Sequence, residues 1–383
     1  MQRFATLTEN EALREAVADR IRLDGPMTFR DYMETALYHP QHGYYCAPRE
    51  KMGHDGDYLT SPEVSPMFGM LVGQQVQEMW QAMGRPHRFE VVEMGAGSGA
   101  LALDIMAWAR RQASDFRQAL SYRIVEVSEV LVDRQRHRLR AAEADLARVS
   151  WTPSLPEGVQ GCFLSNELAD SFPVHRVAVQ DGELREVYVS WDGQRFLEEL
   201  RPPSTPAIEE YFRRLGLLPG EGCHAEVNLQ AAEWIAALAR ALEQGFVLTF
   251  DYGHQAAELY APWRRQGTLL CFYRHNASND PYARLGRQDM TSHLDFTTLA
   301  RLAGENGLEL LGLVSQTEFL SNLGIAEALR PPGEGEVSLE EYYARRRAVM
   351  ELADPAGLGR LKVMVLSKGI GPCHLSGLEE GQR

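Results

Sequence analysis

A glycine-rich run at residues 91–99 is the part of the sequence with the clearest chemical meaning. An apolar stretch leads to Glu93, and an apolar helical pattern follows the run. Its small residues are Gly95, Ala96, Gly97 and Gly99. Glycines at the end of a strand let the backbone approach a ligand closely, because no Cβ intervenes and positive φ is accessible. The run therefore predicts a strand, a ligand-binding turn and a helix.

Two kinds of cofactor suit this turn. Through Ala100 it satisfies the dinucleotide fingerprint G-x-G-x-x-A, so a nicotinamide or flavin nucleotide is one interpretation. Glu93 would repel a pyrophosphate, however, and Glu126 at the end of the next strand follows the turn by more than the roughly 20 residues of that pattern. Two acids so placed suit S-adenosylmethionine, whose amino group and ribose hydroxyls donate hydrogen bonds. We therefore expect Glu93, the glycine turn and Glu126 to bind S-adenosylmethionine.

Polar side chains follow two later apolar strands. Asn166, Glu167 and Asp170 follow the fourth predicted strand, and Asp251 and His254 follow the fifth. Methyl transfer from a sulfonium needs mainly alignment of the nucleophile and removal of its proton. Because ligands of parallel sheets bind at the carboxyl ends of the strands, these five residues are the catalytic candidates. Two structural alternatives stay open. Glu167 would be an acid stabilised at a helix N-terminus, and His254 would be a hydrogen-bonded loop residue.

The elements that must position these residues follow an α/β pattern. Strands alternate with helices from about residue 88, which predicts a parallel sheet covered on both faces. Asp-Gly turns between alternating stretches predict antiparallel hairpins after residue 174. The predicted segments are an N-terminal helical cap with a functional loop (1–85), a core in two parts (86–173 and 229–318), a β-hairpin insertion (174–228), a late helical insertion (319–358) and a final strand with a tail (359–383).

Composition limits the class of protein. The chain has 383 residues with 39 Lys+Arg against 53 Asp+Glu, a net charge of −14 that disfavours a broad nucleic-acid surface. Its five cysteines form no C-x-x-C pair, so no metal site is expected. No apolar window approaches the roughly 18 residues of a membrane span, and the acidic N-terminus lacks the features of a targeting peptide. We expect a cytosolic protein.

Ordered motifs make the chain resemble the MidA-like methyltransferases. They cover roughly residues 25–325 and are GPMTFRDYMETALYHPQHGYY, GDYLTSPEVSPMFG, VEMGAGSG, IVEVS, SNELADSFPVHR, FDYGH, GTLLCFYRH, DMTSHLDF and SQTEFL. The family includes a mitochondrial arginine methyltransferase required for respiratory complex I assembly. The chain departs from it at Ala96, where proline is usual, and through residues 168–173.

The resemblance implies a fold, an activity and further site residues. The fold is a class I, Rossmann-like methyltransferase sheet of seven strands, six parallel and the last antiparallel, with a helical N-terminal cap. Glu167 would match the acidic loop of protein arginine methyltransferases. In that loop a carboxylate grips the planar, always protonated guanidinium. For the loop that contains Ser61 two interpretations stay open, closure over the cofactor or a Pro-bounded turn and cap.

The sequence thus predicts a methyltransferase that acts on an arginine of a partner protein, a complex I-type subunit by the resemblance. A small-molecule O- or N-methyltransferase and a non-catalytic S-adenosylmethionine-binding assembly factor are the alternatives, since one fold serves several functions. The oligomeric state stays open.

Overall fold

A computed structural model describes residues 10–46, 56–331 and 338–379. Part of the predicted functional loop, residues 47–55, lies outside the described residues. The α-helices are α1 (Glu11–Asp24), α2 (Phe29–Tyr38), α3 (Ser61–Val64), α4 (Pro66–Ala82), α5 (Ala100–Gln112), α6 (Ser114–Ala119), α7 (Glu129–Ala141), α8 (Pro206–Leu215), α9 (Leu229–Ala241), α10 (Ala256–Leu259), α11 (Phe296–Glu305), α12 (Gln316–Asn322) and α13 (Leu339–Leu352).

Strands follow the same chain order. They are β1 (Met27–Thr28), β2 (Phe89–Met94), β3 (Leu120–Val125), β4 (Val149–Thr152), β5 (Val159–Asn166), β6 (His175–Gln180), β7 (Glu183–Trp191), β8 (Phe196–Arg201), β9 (His224–Val227), β10 (Leu242–Asp251), β11 (Gly253–His254), β12 (Leu270–Tyr273), β13 (Asn276–Ser278), β14 (Asp289–Thr291), β15 (Leu294–Asp295), β16 (Glu309–Ser315) and β17 (Lys362–Lys368).

The larger sheet is mixed and has the order β16-β17-β10-β5-β2-β3-β4. Neighbours from β10 to β4 pair in parallel, whereas β17 runs antiparallel to both β10 and β16. The strands at its centre are apolar on both faces, as helices on each side require. The carboxyl ends of β2 and β5 are therefore adjacent, and the glycine turn and the Asn166 segment leave the sheet side by side.

Helix caps and small residues explain the packing around this sheet. The Ser128 hydroxyl accepts from Leu131 N at 3.4 Å and begins α7. On α4, Gly69 and Gly73 let α5 approach closely. A Cβ on Gly69 would lie 2.4 Å from the Cβ of Asp104, so a larger residue would push the helices apart.

The second large sheet is antiparallel. Its strands β1, β7, β6 and β9 pair in that order, and β8 also pairs with β7. Asp181 and Gly182 form the two-residue turn between β6 and β7 with φ of 55° and 74°, as the Asp-Gly signal predicts. This sheet and the first two helices enclose a separate core around Leu13, Phe29 and Val187.

Two compact units divide the chain differently from the predicted succession of segments. One unit comprises residues 1–58, 169–234 and 253–301, and the other comprises 59–168, 235–252 and 302–383. The reason lies in a distant pairing: Met27 and Thr28 pair with Val189 and Tyr188, which places the first helices with the antiparallel sheet. The predicted 1–85 cap is thus divided, because α4 packs on α5 in the other unit.

Candidate active site

The glycine turn lies between β2 and α5 and has the backbone conformation that its composition predicts. Gly95, Gly97 and Gly99 have φ of 68°, 53° and 81°. The Ala96 carbonyl accepts from Gly99 N at 2.7 Å and closes the turn. A Cβ on Gly95 would lie 2.8 Å from Leu168 Cδ1. Side chains at these glycines would therefore be strained, and at Gly95 also crowded.

Glu93 is a buried carboxyl with a neutral hydrogen-bond donor beside it. Its side chain is 3% exposed, and Tyr122 donates to Oε2 at 2.8 Å. Burial raises the pKa of Glu93 to about 7, and the Tyr122 hydrogen bond opposes that rise. A cationic donor placed against this carboxyl would favour its charged form.

Glu126 follows β3 and is held from two directions. Its backbone N–H donates to Thr152 O at 2.9 Å, while its carboxylate accepts from Ser128 N at 2.9 Å. Gln135 Nε2 also reaches Glu126 Oε2 at 3.4 Å. The carboxylate is thus fixed at a strand end where hydroxyl donors of a ligand would be recognised.

Two side chains of α7 that were not predicted from the sequence hold this region. Gln135 is fully buried and donates to Gly97 O at 3.0 Å. Arg138 donates to Ser98 Oγ at 2.5 Å and to Glu63 Oε1 at 3.0 Å. No motif marks these residues; the available signal was the spacing of Gln135 and Arg138 on one face of a helix.

Asn166 and Glu167 lie together at the end of β5. Glu167 has φ of 49°, which is uncommon for a residue other than glycine, and its N–H donates to Phe250 O at 2.8 Å. Asn166 Nδ2 donates to Glu167 Oε1 at 2.9 Å. Asn166 Oδ1 is buried without a hydrogen-bond partner among the described residues. An acceptor without a partner and a carboxylate thus stand side by side.

Asp251 and Ser61 contact the Glu167 segment. Asp251 is fully buried, and its two oxygens accept from Leu168 N at 3.3 Å and Tyr252 N at 2.8 Å. Ser61 N donates to Glu167 Oε1 over a long 3.4 Å, and Ser61 Oγ donates to Gln316 Oε1 at 2.9 Å. The structure therefore brings Ser61, Asn166, Glu167 and Asp251 together, with Asp251 bonded to backbone groups.

Asp170 and His254 belong to the other unit. Asp170 lies in a buried 3₁₀ turn, Ala169–Ser171, and its carbonyl accepts from Ser292 N at 2.8 Å. His254 Nδ1 lies 2.8 Å from Glu258 Oε1, and its ring is tilted against that of His293 at 5.1 Å. These contacts are of the kind that hold a loop.

Comparison with known proteins decides which cofactor this arrangement serves. A family model that describes S-adenosyl-L-methionine-dependent methyltransferases matches residues 71–314, more than half of the chain. The chain belongs to this family. S-adenosylmethionine is the cofactor of the methyltransferase, as predicted, and the nicotinamide or flavin interpretation of the glycine turn is set aside.

Relatives of the methyltransferase support the resemblance drawn from the motifs. It is 30% identical to the Drosophila melanogaster mitochondrial protein arginine methyltransferase NDUFAF7 homolog, over 95% of this chain and 86% of that protein. It is 33% identical to the mitochondrial protein arginine methyltransferase NDUFAF7 of Mus musculus, over 81% and 74%. A Burkholderia thailandensis protein crystallised with S-adenosylhomocysteine is similar in structure, with a TM-score of 0.87 and 34% identity over 97% and 96% of the two chains.

One prediction is corrected by these relatives. The expectation of a cytosolic protein is contradicted, because the curated animal relatives are named as mitochondrial proteins. The physical reason is that composition and net charge describe how a chain folds and what it binds, and they do not determine the compartment in which it works. Within residues 10–46, 56–331 and 338–379, no helix has the length and apolarity needed to cross a membrane.

The methyltransferase residues fit the chemistry of the cofactor. S-adenosylmethionine carries an ammonium and two ribose hydroxyls, and the turn is flanked by the carboxylates of Glu93 and Glu126. Asn166 Oδ1, which has no partner in the described part of the chain, is a further acceptor at the adjacent strand end. No group of acids, histidines and cysteines suited to a metal occurs in the part of the chain that the structure describes.

Proposed function

We propose that this methyltransferase methylates a guanidinium nitrogen of an arginine in a partner protein. The observation that carries the proposal is at the end of β5, where Glu167 has a left-handed backbone. Its carboxylate lies beside Asn166, whose Oδ1 has no hydrogen-bond partner among the residues that the structure describes. Local strain of this kind persists where the surroundings determine the conformation, often at functional sites. The relatives named as protein arginine methyltransferases support the same acceptor. By family resemblance the partner is a complex I-type subunit.

The architecture that we propose is class I with additions. Six strands of the larger sheet share one direction, and the last, β17, runs against them. In this proposal α4 is the part of the N-terminal segment that packs on the methyltransferase core, through α5. Strands β6 to β9 form one insertion, and residues 319–358 form a second, helical insertion. The division of the cap between two units supports regarding α1 and α2 as partners of the inserted sheet.

We assign the cofactor to the ends of β2 and β3. Glu93 would accept from the amino group and Glu126 from the ribose hydroxyls, because both are carboxylates fixed at strand ends. The proposed cofactor-binding residues are Ser61, Glu93, Gly95, Ala96, Gly97, Gly99 and Glu126. Ser61 would act through its backbone, since its hydroxyl is bonded to Gln316.

Glu167 and Asn166 would hold the acceptor. S-adenosylmethionine supplies a methyl group bonded to a sulfonium. A carboxylate pairs with the planar guanidinium and orients one nitrogen, and Asn166 Oδ1 accepts a second N–H. Methylation leaves one proton to be lost from the attacking nitrogen, and Glu167 stands ready to accept it.

The other catalytic candidates receive narrower roles. We propose that Asp251 positions the Glu167 segment, because its oxygens accept from the backbone N–H groups of Leu168 after β5 and of Tyr252 after β10. Asp170 and His254 stay predictions as catalytic groups. Their test is the pair Asp170→Asn and His254→Ala, each expected to lower turnover if it acts on the acceptor.

The deciding experiment compares complemented strains. In a strain lacking the gene, mass spectrometry searches for methyl groups on proteins and metabolites that return with the wild type. We expect the methyl group on arginine, with Glu167→Gln failing to restore it and Glu129→Gln, which removes the charge of an exposed acid, as the matched control that restores it. A methyl group that returns on a small molecule would contradict the proposal, and none at all would favour a binding protein.

For the purified enzyme, Glu167→Gln keeps size and hydrogen-bonding reach and removes charge. We expect turnover to fall about 10²–10⁴-fold, the span of a positioned proton-transfer group, with cofactor affinity unchanged. An undiminished rate on the identified substrate would remove the main support for arginine chemistry.

A further inference from the structure

Helix α7 carries two polar side chains where an apolar contact is usual. Gln135 is fully buried and Arg138 is partly buried, with 39% of its side chain exposed. Residues three apart on a helix share one face, so both point the same way. Both reach the glycine turn, to which we assigned the cofactor above.

The orientation of the Gln135 amide follows from its neighbours. Trp151 Nε1 lies 2.9 Å from Gln135 Oε1, and an indole N–H is only a donor. The oxygen of the amide must therefore face Trp151, which turns the NH₂ toward the other side. There it donates to Gly97 O at 3.0 Å and to Glu126 Oε2 at 3.4 Å. One side chain thus connects the glycine turn with the acid expected to bind ribose.

Arg138 holds the next residue of the turn. Its Nη1 donates to Ser98 Oγ at 2.5 Å and to Glu63 Oε1 at 3.0 Å, and Ser98 Oγ also donates to Glu63. Ser98 lies between Gly97 and Gly99, and glycine has less intrinsic preference for one backbone conformation than any other residue. The arginine therefore fixes the turn where the backbone has most freedom.

We infer that Gln135 and Arg138 are positioning residues for the cofactor turn. A glycine turn can adopt many conformations, and ordering it on ligand binding costs conformational entropy. Side chains that already hold it in one conformation reduce that cost and raise affinity. Gln135 fixes the Gly97 carbonyl and Glu126, and Arg138 fixes Ser98 and joins it to α3 through Glu63.

The test measures binding of S-adenosylhomocysteine by calorimetry, together with thermal unfolding without ligand. We expect Gln135→Met and Arg138→Met each to weaken binding about tenfold, the loss of hydrogen bonds that include a charged group. Arg138→Lys keeps the charge and one donor nitrogen, so it should restore most of the affinity. Arg140→Met is the matched control on the exposed side of α7 and should bind within about twofold of the wild type.

A purely structural role gives a different result. It would lower the unfolding temperature of Gln135→Met and Arg138→Met and leave the dissociation constant of the folded protein unchanged, which would overturn the inference. Trp151→Phe tests the orientation step, because it frees the amide to turn over. We expect it to weaken binding, with no further loss when combined with Gln135→Met. Additive losses would overturn this step.

This inference rests on the proposed assignment of the cofactor to the glycine turn and does not depend on the identity of the acceptor. If the wild type binds S-adenosylhomocysteine and every variant binds equally well, the inference alone fails. If the acceptor is not arginine, the binding results stand. If the wild-type protein does not bind S-adenosylhomocysteine at all, both this inference and the proposed function are overturned.

Discussion

The glycine turn and the Glu167 segment leave neighbouring strands of one sheet, and both contain left-handed backbone. In the turn that conformation falls on Gly95, Gly97 and Gly99, which adopt it without steric cost. At the end of β5 it falls on Glu167, which pays a penalty of about 1–2 kcal/mol for its Cβ. The turn thus reaches its conformation without strain, whereas the Glu167 segment is strained, as the role that we propose for its carboxylate requires.

The difference extends to what holds each region. The turn is fixed by side chains from α7 and α3, which lie far away in sequence. Glu167 is fixed mainly by strand-end contacts, from its own N–H to Phe250 O and through Asp251 to Leu168 N. Changes in the turn should therefore affect the cofactor, and changes in the Glu167 segment should affect turnover.

The largest expected effect is at the centre of the turn. Gly97→Val should abolish binding of S-adenosylmethionine, because a β-branched residue resists φ of 53° and its side chain would occupy the space of the ligand. Calorimetry on the folded variant measures this. Gly304→Val is the control, since a Cβ there meets no atom within 4 Å. Wild-type affinity of folded Gly97→Val would show that the turn does not bind the cofactor.

A smaller loss of affinity is expected at Glu126, the residue that we propose for the ribose hydroxyls. Glu126→Ala should weaken cofactor binding by about 1.5–3 kcal/mol, the contribution of hydrogen bonds to a charged group. Glu129→Ala removes an exposed acid three residues later and should leave the dissociation constant unchanged. Equal affinities for the two variants would remove Glu126 from the site.

The sequence predicted those features of the two regions that are formed by residues adjacent in the chain. The glycine turn follows from the spacing of its glycines between an apolar strand and a helical pattern, and Glu167 follows from its place after an apolar strand. The roles of Gln135 and Arg138 could not be predicted, because a single polar residue on an amphipathic helix carries no motif and its partners are remote in sequence. Asp251 was found as a strand-end acid, but its bonds to two backbone N–H groups depend on the three-dimensional arrangement. The division into two units likewise depends on the pairing of β1 with β7. With only two residues, β1 is too short to show a strand pattern in the sequence.

Acidity should change cofactor affinity through Glu93. Its pKa is raised by burial to about 7, and a neutral carboxyl attracts the ammonium of the cofactor less strongly. Binding of S-adenosylhomocysteine should therefore weaken by up to about tenfold as the pH falls from about 8 to about 6. Glu93→Gln should bind with little dependence on pH. A variant that keeps the wild-type pH profile would assign the titration to another group.

The same carboxyl affects stability with a defined sign. Its folded pKa of about 7 lies above the ordinary 4.5, so the native state keeps the proton to higher pH than the unfolded chain does. Its contribution to stability is fully present below about pH 4.5 and is lost as the pH rises to about 7. Chemical denaturation at several pH values should show this slope in the wild type and a weaker one in Glu93→Gln.

The smallest effect separates strain from chemistry at Glu167. Glu167→Gly and Glu167→Ala both remove the carboxylate, so both should lose turnover, but only glycine relieves the Cβ clash at φ of 49°. Glycine also gains more entropy in the unfolded chain, which offsets part of that relief. We expect the glycine variant to be more stable than the alanine variant by about 1 kcal/mol in chemical denaturation. Equal stabilities of the two variants would mean that the left-handed conformation of residue 167 has no energetic cost. The glycine turn and the Glu167 segment would then differ only in their side chains. A more stable and inactive glycine variant would instead show that the protein maintains strain at this residue in order to place its carboxylate.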